Sequence, residues 1–137
     1  MTDTTSPKRL ILMKTMYLLT IVVAGGLGAM LLILPGSIRW VFGTDCPGIL
    51  SGIIGSVFLA FALVSILGIR DPMRYVPILL MQFLYKSVWL CGVALPGLVS
   101  GKADPEILPV VAVFLLIVVG DGFAIPFRDL IRKARTP

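Results

Sequence analysis

The chain has 137 residues, of which 58% are hydrophobic and only 14% charged, with a formal net charge of +5 and a mean hydropathy of +1.03. That composition excludes an ordinary soluble globule and points to an integral membrane protein. Histidine is absent, which excludes imidazole-ligated haem and the usual His-based zinc sites. Cys46 and Cys91 form no CxxC pair, so the commonest dithiol motif is missing too.

A bilayer-spanning helix takes roughly 20 apolar residues, so residues 1–137 have room for about four spans in a single transmembrane domain and for little else. The first span is expected over about 15–34, between the Lys8-Arg9-Lys14 cluster and Pro35. A signal peptide also has a basic start and an apolar run. This run is longer than the usual h-region, and Leu34-Pro35-Gly36-Ser37 is not an A-x-A-like site, so the span reads as retained. Arg39, Trp40 and Phe42 then have the composition of a short segment at headgroup level. The second span is expected over about 49–69, stopped by Arg70-Asp71-Pro72, and the third over about 76–95, stopped by Pro96-Gly97.

The fourth span carries more information. Its unbroken apolar core, Ile107 to Val119, rises only about 20 Å against a hydrocarbon slab of about 30 Å. To cross, it must take in Gly120-Asp121-Gly122 and run over about 107–127, which places an ionisable residue inside the membrane. The expected fold is therefore all-α, a four-helix membrane bundle.

Orientation follows from the flanking charges. Lys8, Arg9, Lys14, Arg70, Arg74, Arg128, Arg132, Lys133 and Arg135 fall at one end of the alternating spans, and only Arg39 and Lys102 at the other. The positive-inside rule then puts both termini in the cytoplasm (N-in/C-in) and the loop containing Cys46 outside. So strong a bias argues against small dual-topology exporters and fluoride channels. The exporter pattern also needs an acidic residue in the first span, where this chain has none. The basic tail from Arg128 to Arg135 reads first as a topology determinant, with attraction to anionic lipid as the other reading.

Small residues recur at four-residue spacing in the second span, at Gly48, Gly52, Ser56 and Ala60, and in the first at Ala24-Gly28 and Gly25-Ala29. Such stripes let helices approach closely in lipid, either within the chain or between subunits. Leu34-Pro35-Gly36 and Leu95-Pro96-Gly97 also echo each other, as tandem hairpins would.

Two residues that carry a charge at neutral pH fall inside the spans, where a charge costs at least ~2.5–3.5 kcal/mol and needs a partner. Lys86 lies about 15 Å along the third span, and Asp121 about 9 Å from the inner end of the fourth. Side chains lean toward their helix N-terminus, so the two charged ends converge in depth and a Lys86–Asp121 ion pair is expected. Gln82, Lys86 and Trp89 recur at i, i+4 and i+7 with Tyr85 at the margin, a polar and aromatic wall suited to a small pocket. These residues serve either as interhelical glue or as a functional site. No catalytic residue set, metal site or cofactor is expected.

The segment Pro77-Ile-Leu-Leu-Met-Gln82-Phe-Leu-Tyr85-Lys86-Ser-Val-Trp89, preceded by Arg70-Asp71-Pro72, resembles small bacterial membrane proteins of the DoxX-like and BphX-like kind. The resemblance implies a compact four-helix bundle of the bacterial inner membrane, sometimes associated with redox complexes or with aromatic-compound catabolism. The function expected is that of a non-catalytic accessory protein binding a lipophilic molecule or a partner membrane complex. The alternatives are a small transporter or permeation protein using Lys86 and Asp121, and a subunit of a quinone-linked redox complex. Expected partners are membrane lipid, a lipophilic small molecule, and a second copy of the chain or a larger membrane complex, with no nucleic acid.

Overall fold

The computed structural model describes residues 6–37, 39, 48–103 and 105–135. Trp40, Phe42 and Cys46 lie outside the described residues. Four helices are long and apolar enough to cross a membrane, over Pro7–Ile33, Gly48–Arg70, Val76–Val99 and Pro105–Ala124, and no strand occurs among the described residues. The chain is a multi-pass helical bundle whose outer surface is apolar: Val22, Leu63, Val88, Leu116 and Phe123 are all exposed. In water that surface would be one large aggregation patch, whereas in lipid it is ordinary.

Local chemistry sets the helix ends. Helix α1 (Pro7–Ile33) opens on Ser6, whose side chain accepts from the Arg9 backbone N–H at 3.3 Å, and carries Pro7 in its first turn, where a missing N–H costs little. It stops because Leu34 precedes Pro35 and is pushed out of helical geometry, to φ −128° and ψ 76°. Helix α2 (Gly48–Arg70) stops at Asp71-Pro72, where the Asp71 carboxylate accepts from the Arg74 N–H at 3.3 Å and closes the turn. The Tyr17 hydroxyl, buried on α1, donates to the Pro72 carbonyl at 3.0 Å and fastens that turn to the first helix.

Pro96 behaves differently from Pro35. Helix α3 (Val76–Trp89) passes into a π-helical segment (Leu90–Ala94) and resumes as α4 (Leu95–Val99), so the third span continues past Pro96-Gly97. A proline lacks the N–H that the ladder needs, and its ring crowds the carbonyl four residues back. The widened π turn just before it relieves both without ending the helix. The left-handed exit falls at Gly101, with φ +66°, and not at Gly97. The two Leu-Pro-Gly sequences thus end one helix and lie inside another span.

The fourth span begins with a 3-10 turn (Pro105–Ile107) and continues as α5 (Leu108–Ala124). It includes Asp121 but ends before Phe127, because Ile125 precedes Pro126 and is extended at φ −70° and ψ 125°. A separate helix, α6 (Phe127–Arg135), follows.

The helices run up-down-up-down. On the antiparallel α1–α2 pair, Gly28 opposes Gly55 and Leu59, Gly25 opposes Ala62, and Gly68 opposes Tyr17. A Cβ on Gly28 would come within 2.8 Å of backbone atoms of Leu59 and Gly55, so the two backbones touch there. The packed side of α2 carries Ser51, Gly55, Phe58, Ala62, Ser65 and Gly68. The stripe at Gly48, Gly52, Ser56 and Ala60 is on another side: Gly48, Ser56 and Ala60 are exposed, and nothing lies within 4 Å of a Cβ on Gly52. Close approach of α1 and α2 therefore uses a register offset from that stripe. Helix α5 packs on α1, with Gly120 against Met16, and on α3, with Gly122 against Phe83.

Candidate functional site

Two apolar clusters fill the bundle, one around Met13, Tyr17, Leu79 and Ile125 and the other around Ala24, Leu31 and Phe58. Between them α1, α3 and α5 bring together Thr20, Gln82, Lys86 and Asp121, none more than 3% exposed. Burying these groups in an apolar interior is costly unless their donors and acceptors find partners, so the partners show what the centre is built to do.

The Lys86 ammonium donates to Gln82 Oε1 at 3.2 Å and to the Tyr85 hydroxyl at 2.8 Å, and it stands 5.4 Å from the centroid of the Phe114 ring. An ammonium has donors only, so the Gln82 amide must turn its oxygen toward it. The Thr20 hydroxyl lies 3.0 Å from the same oxygen and 2.8 Å from the Met16 carbonyl, and its single proton serves one or the other. With its oxygen engaged, the amide has its nitrogen left over. Gln82 Nε2 has no hydrogen-bond partner, and neither has either carboxylate oxygen of Asp121.

The expected Lys86–Asp121 ion pair does not form: the ammonium is held by Gln82 and Tyr85, and the carboxylate has no hydrogen-bonded partner. Helix stagger explains this. Phe83 faces Gly122, while Tyr85 and Trp89 pack on Phe114 with ring centroids 6.2 and 5.1 Å apart. Asp121 is therefore level with Gln82, one turn from Lys86. The Gln82 side chain lies beside the carboxylate without reaching hydrogen-bond geometry. The arrangement is a series of ammonium, amide and carboxylate, with the amide dipole pointing its oxygen at the cation.

Thr20, Gln82, Tyr85 and Lys86, with Phe58 and Phe114 among the apolar walls, line a cavity of about 20 Å³ open to the centre of a water-sized sphere. That is room for about one water, or a polar group of similar size, with enough hydrogen-bonding groups around it to hold one. It does not hold the body of a larger molecule.

Of the residues singled out from sequence, the structure gathers Gln82, Tyr85, Lys86 and Asp121. Trp89 sits a turn away against Phe114, half-buried and outside the polar centre. Gly25 and Gly28 lie on the α1–α2 contact, not at the centre. Sequence reasoning missed Thr20 and Phe114. The signal for Thr20 was present, as a hydroxyl midway along the first span whose register brings it to the Gln82 level. Phe114 gave none, being one aromatic residue in an apolar run. Cys91 is exposed within the π-helical segment. No protein-family model, curated protein or solved structure matches the chain.

Proposed function

We propose that the chain is a non-catalytic accessory protein of the bacterial inner membrane, with both termini in the cytoplasm. It works by receiving a polar group, at the α3–α5 centre, from a lipophilic molecule or a partner membrane complex. The observation that carries this reading is the unpartnered set of Gln82 Nε2 and the two Asp121 oxygens. An unsatisfied buried polar atom costs about 1–3 kcal/mol, and a charged one more. A bundle in which Gln82, one of these residues, lines a small cavity while Asp121 is buried at the same level supports an incoming donor or acceptor. The cavity admits a head of hydroxyl or carbonyl size, so the apolar body of the molecule lies outside it, along the lipid-facing helices. The resemblance of residues 70–90 to DoxX-like and BphX-like proteins agrees with a bundle of this kind.

A second reading, a small permeation protein, is favoured by one specific observation. Lys86 and Gln82 line a water-sized space one turn apart, and Asp121 is level with Gln82 behind them, as the groups of a proton path are.

One pair of measurements separates the two. The chain purified in mild detergent is assayed by native mass spectrometry for a retained lipophilic molecule or protein partner, and in proteoliposomes for proton flux under an imposed potential. The accessory reading predicts a retained component that is lost in Gln82→Leu, and flux no greater than in empty vesicles. Flux abolished by Asp121→Asn with nothing retained would establish the second reading in its place, and neither signal would overturn both.

A further inference from the structure

The polar centre does not involve α6, whose make-up is unlike that of the spans. Its sequence, Phe-Arg-Asp-Leu-Ile-Arg-Lys-Ala-Arg, places apolar residues at 127, 130, 131 and 134 and arginines at 128, 132 and 135. Both sets follow helical spacing, so α6 is amphipathic. The break at Ile125 and the buried Pro126 prevents it from continuing the axis of α5. Its apolar side is fastened to the bundle: the Phe127 ring meets Phe83 edge-on at 5.6 Å, and Leu130 packs against the core cluster around Tyr17 and Leu79. Arg128 is exposed, the Arg132 side chain is 78% exposed beside Asp129, and Ile131 between them is 57% exposed. Lys8, Lys14, Arg70 and Arg74 are exposed at the same end of the bundle, where Asp71 and Asp129 are the acidic residues among the described ones.

We infer that α6 is a docking surface for anionic phospholipid headgroups in the membrane that the bundle occupies. A soluble polyanion would use the cations alone. An apolar side chain exposed between two arginines, where the hydrocarbon ends, suits a ligand with phosphate and acyl chain in one molecule. Cations near an anionic lipid surface each contribute about 1 kcal/mol, which is roughly fivefold in affinity. Charge complementarity and the apolar contact thus select the same occupant.

The experiment titrates the full-length chain in neutral detergent with fluorescent phosphatidylglycerol and, separately, phosphatidylcholine. Phosphatidylglycerol should bind more tightly, and Arg128→Gln with Arg132→Gln should weaken it by roughly an order of magnitude or more. Arg128→Lys with Arg132→Lys should retain most of the preference, and Lys102→Gln at the opposite end should leave it unchanged. Circular dichroism of each variant reports whether the bundle is folded. Equal affinity for the two lipids, an unaltered preference in the double glutamine variant, or an equal loss in Lys102→Gln would overturn the assignment. Displacement of phosphatidylglycerol by inorganic phosphate at equal concentration would overturn it as well, because the acyl chain would then contribute nothing.

Discussion

Gln82 is the residue on which the polar centre turns, since its oxygen serves Lys86 and Thr20 while its nitrogen lies on the Asp121 side. The two bonds to that oxygen differ in strength. A hydrogen bond to a charged group contributes about 1.5–3 kcal/mol, whereas interhelical bonds between neutral groups in membrane proteins average about 0.6 kcal/mol. Thr20 also has the Met16 carbonyl at 2.8 Å as an alternative acceptor. Gln82→Leu is therefore expected to lower stability by about 2–3 kcal/mol, and Thr20→Val by less than about 1 kcal/mol. Thermal or denaturant unfolding in one detergent measures both, and equal losses would mean that the ammonium does not depend on the amide. The importance of Lys86, Asp121 and Gln82 was legible in sequence, because charges and amides are conspicuous in apolar runs. Thr20 was harder to read, since a threonine in a membrane helix satisfies itself on the carbonyl four residues back whether or not it has a partner across the bundle. The direct ion pair was misread because side-chain lean was inferable from helix direction, but the one-turn stagger of α3 against α5 is set by packing at Phe83, Gly122 and Phe114.

At the scale of the helices, their number was legible because hydropathy and charge punctuate the chain. Their ends and contact faces were less so. Pro35 ends a helix and Pro96 is absorbed by a π turn, a difference that rests on the neighbouring backbone and not on the Leu-Pro-Gly triplet that both share. Helix α2 offers small residues on two sides, and the backbone contact of Gly28 with Gly55 and Leu59 selects one of them. Gly28→Ala places a methyl against backbone atoms that have no room to retreat, so a loss of about 1–3 kcal/mol is expected. Gly120→Ala, which meets the flexible Met16 side chain, should cost less. Gly52→Leu should leave the unfolding midpoint of the monomer unchanged, because nothing lies within 4 Å. Light scattering on the same variant reports any subunit contact through that face. A destabilised monomer in Gly52→Leu, or an unaffected one in Gly28→Ala, would contradict the register described.

For the molecule as a whole, the basic end formed by the start of α1, the α2–α3 turn and α6 sets the expected orientation. In a Cys91→Ser background, a membrane-impermeant maleimide should label Cys46 on intact cells. Labelling only after the cytoplasmic face is opened would reverse the topology. The bundle is organised around one coupled centre to which α1, α3 and α5 each contribute, and a double-mutant cycle on Lys86→Met and Asp121→Leu tests that most directly. Each single variant leaves the remaining charge without its opposite in an apolar interior, while the double variant removes both, so the two losses should not add. A coupling energy of about 1–3 kcal/mol is expected, with the double variant recovering part of the loss, and a smaller coupling when the cycle is repeated in Gln82→Leu. A cycle that closes additively to within about 0.5 kcal/mol would contradict it, for Lys86 and Asp121 would then be two separate buried charges and not parts of one site.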